Sequence, residues 1–245
     1  MNFTVTKTTL DDIRDMRASF LQELNAQFVC DKCHYYGWSD DYVFMTDDIK
    51  IGYGCVWGTN KRQDRDCIFE FYLLPRYRIH DTACFEQLAR TSGAVYAEVQ
   101  TNDSNLAPLF FRYTNNIKAE AVLFEEDKET SLHVTGAIFR EKIIADNIED
   151  NDTKHVAEYN GEVAGSGGLM LNYNHPYADI YMDIKEPFRG KGLGGFLVQE
   201  LKKEAYRLGR VPAARCNIDN SISRATLQKA GLRICGYRLK GTISL

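Results

Sequence analysis

Residues 188–195 read Phe-Arg-Gly-Lys-Gly-Leu-Gly-Gly, four glycines in six positions with two cations beside them. An apolar segment, 178–184, precedes this run, and apolar residues at 193, 196, 197, 201, 205 and 208 follow it at helical spacing. A strand, a glycine-rich turn and a helix N-terminus together make an anion-binding arrangement. The first N–H groups of a helix have no partner within it, and the helix dipole places partial positive charge there. Glycine removes the side chains that would keep a phosphate away. Arg189 and Lys191 add cationic character, and a pyrophosphate is the natural occupant.

Two patterns fit this string. Gly190, Gly192 and Gly195 match the dinucleotide signature G-x-G-x-x-G. That fold places the turn after its first strand and wants an acid about 20 residues further on to hold the ribose. Only 55 residues follow Gly190, and position 210 is arginine. The second pattern is Arg189-x-x-Gly192-x-Gly194, which resembles the acyl-CoA loop of the GNAT superfamily of N-acetyltransferases. The resemblance runs through about 154–243. Ile184 stands five residues before the arginine, and Asn220, Ser223, Arg224, Lys229 and Gly231 follow at the family's spacing.

The resemblance implies acetyl transfer from acetyl-CoA to a primary amine by direct attack in a ternary complex. It further implies that Ile184, Arg189, Gly190, Lys191, Gly192, Leu193 and Gly194 contact pantetheine and pyrophosphate, with Asn220, Ser223 and Arg224 lining the far side of the cleft. Catalytic residues are less plainly marked. The family's thiolate-protonating tyrosine aligns with Leu227; Ser223, Cys216 and Tyr237 are candidate substitutes. For a base, Asp179 is the one acid nine to eleven residues before the loop arginine. Tyr181 and Asp183 share its strand face by alternation, and Glu158 lies on an earlier strand. The catalytic expectation is therefore Asp179, Tyr181 and Ser223. A CoA-binding sensor or interaction protein without transferase activity is the alternative.

These residues need elements to hold them. A strand is predicted over 3–8 and a helix over 9–28 with Thr9 as N-cap, then strands over 41–47, 50–58 and 67–75. A helix near 81–91, a strand over 94–100, a short helix around 106–114 and a strand over 119–126 complete the first half. The second half repeats this order. Two strands within 154–173 join at Asn160-Gly161, a strong hairpin signal. The strand 178–184, the glycine loop, a helix to about Leu208 capped by Gly209, a strand over 213–218, a helix over 221–230 and a strand near 232–243 follow. "GSGG" (165–168) marks either a bulge or a close approach.

The halves overlay loosely, with Arg78 under Arg189, Phe85 under Phe196 and Asn105 under Asn220. The reading is a tandem duplication: an α+β protein of two GNAT-like domains, each a mixed, mostly antiparallel sheet flanked by helices. The expected domains are 1–130, degenerate, and 131–245, which binds acetyl-CoA. In the first, Ile79, Asp81 and Ala83 stand where the second has Gly190, Gly192 and Gly194, and Asp81 would set a carboxylate against a pyrophosphate. The second copy lacks a clear opening strand and helix; 134–150 is the stretch to supply them.

Composition narrows the rest. Of 245 residues, 44% are hydrophobic and 26% charged, enough for packed cores. A net charge of −4 gives no reason to expect nucleic acid, and "KRQDR" (61–65) reads as a solvated turn. Seven cysteines in unlike contexts do not form a disulfide framework. Cys30-x-x-Cys33-His34 matches haem attachment, but no export signal is visible. A zinc site would want a second ligand pair, so no metal is expected. The opening residues carry early acids and no apolar stretch of signal-peptide length, and no window reaches membrane-span length. A cytoplasmic protein with a small-molecule acceptor, and no membrane or nucleic-acid partner, is the expectation.

Overall fold

The computed structural model describes residues 3–149 and 153–245. The chain forms two units, Met1–Glu120 together with Gly236–Leu245, and Ala121–Cys235. The boundary falls ten residues before the expected 130, and the last ten residues belong with the first unit. Strand pairing gives the reason. A long strand that starts in the first half ends at 121–125 by pairing in the second unit, and the chain's last strand pairs at 238–242 in the first.

The first unit holds β1 (Phe3–Thr8), α1 (Leu10–Leu24), α2 (Lys32–Tyr35), β2 (Ser39–Thr46), β3 (Ile49–Trp57), β4 (Cys67–Leu73), α3 (Asp81–Ser92), β5 (Tyr96–Gln100) and α4 (Leu106–Tyr113). Helix α1 stops at Leu24, short of the predicted 28, because Asn25 takes the left-handed conformation, φ 45°. Residues 26–30 then turn into the core. Strands β1 to β4 pair antiparallel in sequence order, β4 pairs parallel with β5, and β5 pairs antiparallel with β12 (Leu232–Ile243).

The second unit repeats the pattern. Strands β7 (Ala137–Glu141), β8 (His155–Tyr159), β9 (Glu162–Met170) and β10 (Tyr177–Ile184) pair antiparallel in order, β10 pairs parallel with β11 (Val211–Asn217), and β11 pairs antiparallel with β6 (Thr114–Glu126). Helix α5 (Leu193–Arg207) follows β10 and α6 (Ser221–Lys229) follows β11. Its core packs Leu193, Leu197, Val198 and Leu201 of α5 against Ile180, Ile184 and Ala214 of the sheet. The opening strand is present as β7. Where the first unit has α1 and α2, the described residues between β7 and β8 hold only a 3₁₀ turn, Ile144–Asp146. The hairpin at Asn160-Gly161 has φ of 51° and 86°, as a type I′ turn requires. A register shift leaves Ala164 as a bulge one residue before the GSGG run. Gly165 and Gly167 lie against the backbone of β10, where no side chain fits.

Candidate functional site

Strands β10 and β11 stay paired from Tyr177 with Val211 to Ile180 with Ala214, then part. β10 continues to Ile184 and β11 to Asn217 without further pairing between them. Past Ile180, β10 therefore has no β11 ladder on that side. A cleft of about 590 Å³ opens at the split. Met182 and Ile184 of β10 form one wall, the loop from Phe188 to Gly195 a second, and Asn220, Ser223 and Thr226 of the α6 region the third.

The loop geometry explains its glycines. Gly190 and Gly192 sit at φ 79° and 81°, a region costly for any residue with a side chain. Gly192 is the N-cap of α5 and offers no capping side chain, so the first N–H groups of the helix remain available. Gly194 faces the neck of the cleft; a Cβ there would stand 3.1 Å from Thr226 Cγ2. Leu193 is buried and anchors the helix start in the core. Arg189 donates from Nε to the Ile184 carbonyl at 2.9 Å, which holds its guanidinium at the mouth. Its side chain is 61% exposed, with the Asp183 carboxylate only at 3.9 Å. Lys191 lies over the rings of Tyr159 and Phe188, at 5.2 and 5.3 Å, and is not part of the cleft wall. Asn220 accepts the Ser223 N–H at 2.9 Å and caps α6. This arrangement fits an acyl-CoA: a bare helix start for phosphate, a cation beside it, and an open strand edge for an amide-bearing arm.

Eight residues singled out for the donor therefore meet at one cleft: Ile184, Arg189, Gly190, Gly192, Leu193, Gly194, Asn220 and Ser223. Arg224 turns away, donating to the Ile218 carbonyl at 2.7 Å. Asp179 and Tyr181 are not on the wall. Asp179 is 3% exposed, and its carboxylate lies 3.5 Å from Arg215, which donates to the Tyr173 hydroxyl at 2.6 Å. Leu227, at the tyrosine position, is buried in the core. Among the substitutes, Cys216 is buried, which pushes its thiol pKa up, and Tyr237 belongs to the first unit. Glu158 is held by Arg140 at 3.0 Å. Sequence reasoning missed Ile222, Thr226 and Lys229 on the wall. Their spacing of four and three along α6 was a legible signal, because such positions share a helix face.

The first unit keeps the frame and fills it. Strands β4 and β5 pair only at Cys67 with Tyr96 and Ile68 with Ala97. Beyond that point residues 27–30 take up both strands. The Gln100 amide accepts from Val29 N–H at 2.7 Å and donates to the Gln27 carbonyl at 2.9 Å, and Phe28 stacks on Phe69. Arg78 Nε reaches the Leu73 carbonyl at 3.3 Å, the same five-residue return that Arg189 makes, but Glu23 occupies its guanidinium. The Asp81 carboxylate, in the first turn of α3, accepts the Thr82 N–H. Deeper in, fully buried Glu70 binds Arg17 at 2.8 Å, Tyr53 at 2.6 Å and His34 at 3.1 Å. Although burial opposes both ionised forms, Arg17 and His34 hold the Glu70 carboxyl at about 2, and Glu70 with Asp41 raises His34 to about 9. The Cys55 thiol lies in the same cluster, within 4.8 Å of ligand atoms on His34 and Glu70. Both Glu70 oxygens already have partners.

Comparison with known proteins follows the same division. A model described as the acetyltransferase (GNAT) family matches residues 119–232, and one described as an acetyltransferase (GNAT) domain matches residues 9–127. No curated protein matches the sequence. Among solved structures, an acetyltransferase of the GNAT family from Colwellia psychrerythraea superposes with a TM-score of 0.76 at 14% identity, covering 100% of both chains. A GCN5-related N-acetyltransferase from Sphaerobacter thermophilus gives 0.63 at 13% identity, covering 99% of this chain and 96% of its own. A tandem GNAT protein from the clavulanic acid biosynthesis pathway gives 0.59 at 12%, covering 98% of each. At these identities the likeness is one of fold.

Proposed function

Because the chain belongs to the GNAT acetyltransferase family, with one domain of it in each half, we propose that the second unit binds acetyl-CoA and passes the acetyl group to a primary amine of a small-molecule acceptor. The observation that carries this is the coincidence of the strand split with the uncapped start of α5 and the exposed Arg189 guanidinium. Acetyl-CoA supplies the activated acyl group. On this reading Gly190, Gly192 and Arg189 receive the pyrophosphate, and Ile184 and Met182 flank the pantetheine arm. Asn220 and Ser223 close the far side. Backbone N–H groups of 181–184 polarise the carbonyl, and most of the rate comes from holding amine and thioester together.

Of the three residues expected to move protons, Ser223 lines the cleft while Asp179 and Tyr181 do not. Ser223 and Asp183 reach the cleft. Asp179 faces Arg215, which is tied to Tyr173, rather than the cleft. That shortage favours the second reading, a CoA-binding protein without transferase activity.

Thermal melting with CoA, acetyl-CoA and NADPH, followed by thiol release with a panel of amines, tests both. Stabilisation by the two CoA species alone, with amine-dependent thiol release, supports the transferase. Stabilisation without release supports the sensor. No stabilisation by either CoA species rejects the site.

A further inference from the structure

Gly195 is the glycine that anion binding does not require. It has ordinary helical geometry, absent from the positive-φ positions, and lies on the buried side of the first turn of α5. A Cβ there would stand 3.1 Å from Leu132 Cδ1. Leu132 belongs to residues 128–136, an irregular segment between β6 and β7. Along it Thr130, Leu132 and Val134 are half-buried while Ser131, His133 and Thr135 are exposed. Such alternation marks an extended chain lying on a surface.

This segment is tied at three places: to α5 and the end of α6, to the middle of α5, and to the turn between β8 and β9. At its start the Lys128 carbonyl accepts from Lys202 Nζ at 2.7 Å, and the Lys128 N–H donates to the Gly231 carbonyl at 3.1 Å. Lys202 is 2% exposed and also donates to the Ala230 carbonyl, at the end of α6. In the middle, the amide of Gln199, itself 4% exposed, accepts the Leu132 N–H and donates to the Leu132 carbonyl at 3.1 Å. At its far end the Gly136 carbonyl accepts from Asn160 N–H at 2.9 Å. Val134 reaches 3.5 Å from where a Cβ on Gly192 would stand. A single strap thus approaches both Gly192 and Gly195, the glycines that bound the start of α5.

We propose that residues 128–136 are a strap that fixes the acyl-CoA loop in its anion-binding form, with Leu132 and Gln199 as positioning residues. The consequence for CoA affinity rests on the donor-binding reading above; the hold on the loop does not. A helix start binds phosphate by N–H groups whose direction is set by the first turn. The strap sets that turn by backing it with Leu132 and pinning Leu132 with Gln199. Gly195 is glycine because the strap lies flush on the helix backbone.

A double-mutant cycle read by CoA affinity tests this. Gly195→Ala improves helix propensity but forces its methyl against Leu132, and a displaced turn should weaken CoA binding by about tenfold. Leu132→Ala removes the obstacle, so the double variant should bind CoA within about twofold of Leu132→Ala alone. A merely structural contact would lower the melting temperature of Gly195→Ala and leave CoA affinity unchanged. Equal affinity in Gly195→Ala and wild type, or no recovery in the double variant, overturns the proposal. Hydrogen exchange in the ligand-free protein is the second arm. Gln199→Leu should speed exchange across 190–198 and leave β11 as it was; unchanged exchange across 190–198 overturns the strap. Should the wild type bind no CoA, the donor reading fails, and the exchange arm still decides the strap.

Discussion

Two loops in this molecule share a frame and differ in what fills it. Each follows a strand that has parted from its parallel neighbour, and each carries an arginine whose Nε returns to a carbonyl five residues back. In the second unit the guanidinium is exposed and the helix behind it has no cap. In the first unit Glu23 takes the guanidinium, the Asp81 carboxylate accepts the Thr82 N–H in the first turn of α3, and residues 27–30 pack on Gln100 and Phe69 of the two strands. The difference teaches that an anion site of this kind is lost without losing the fold. Here the guanidinium and one N–H of the helix's first turn have internal partners instead.

The largest expected effect lies in the first unit. Glu70 holds Arg17, His34 and Tyr53 in full burial. Glu70→Gln leaves two buried cations short of their anion and should cost about 3–5 kcal/mol. A denaturant midpoint shift corresponding to under 1 kcal/mol would show that the network is incidental. Its pH dependence has two edges. The Glu70 carboxyl is lowered from 4.5 to about 2, so its contribution is complete above 4.5 and is lost as pH falls through about 2. His34 is raised from 6.5 to about 9, so its contribution is complete below 6.5 and is lost as pH rises through about 9.

Next comes the second loop rewritten as the first. Gly192→Asp puts a carboxylate at the helix start and a side chain at φ 81°. With CoA at 100 times its dissociation constant the wild type should gain roughly 2.7 kcal/mol, and the variant none. The reverse change, Asp81→Gly, should add no CoA binding, because Glu23 and residues 27–30 still fill the first site. Acquired affinity there would break the comparison. Smaller again is Arg189→Ala, which should weaken CoA binding roughly ten- to hundredfold. Arg78→Ala should leave CoA binding unchanged, as titration calorimetry on both variants would establish.

The sequence made the second loop legible because its chemistry is local: positive φ at Gly190 and Gly192, a bare helix start and a nearby cation are written in eight consecutive residues. The hairpin at Asn160-Gly161 and the ends of α5 were readable for the same reason. What local signals do not carry is which strand a segment pairs with. The domain boundary at Glu120 and the placement of 236–245 in the first unit depend on pairings between distant segments, 121–125 with 213–217 and 238–242 with 96–100. Asp179 stood at the right offset from Arg189, yet the ion pair with Arg215 that accompanies its burial comes from a neighbouring strand. Glu70 went unread because its partners are spread from 17 to 53 in sequence.

The smallest effect tests a correspondence between the units in which the position is kept and the capping side chain differs. Asn105 overlays Asn220, and both stand at the N-cap position of their helices, but at α4 the side chain that accepts the first N–H groups is that of Asp103. It accepts N–H from Asn105 at 2.9 Å and from Leu106 at 3.1 Å. The second unit uses a neutral amide there and the first a carboxyl at 1% exposure. Burial raises the Asp103 pKa from 3.8 to about 7, against the pull of the two N–H donors. With a folded pKa above the unfolded one, stability is greatest below pH 3.8 and is lost as pH rises through about 7. Asp103→Asn keeps an acceptor for the cap and removes the charge. The variant should melt higher than wild type at pH 8, by roughly 1–3 kcal/mol in stability, with the gap narrowing at pH 5. Parallel pH profiles for the two proteins would mean that Asp103 is not the titrating group, and that the two caps are equivalent despite their charge.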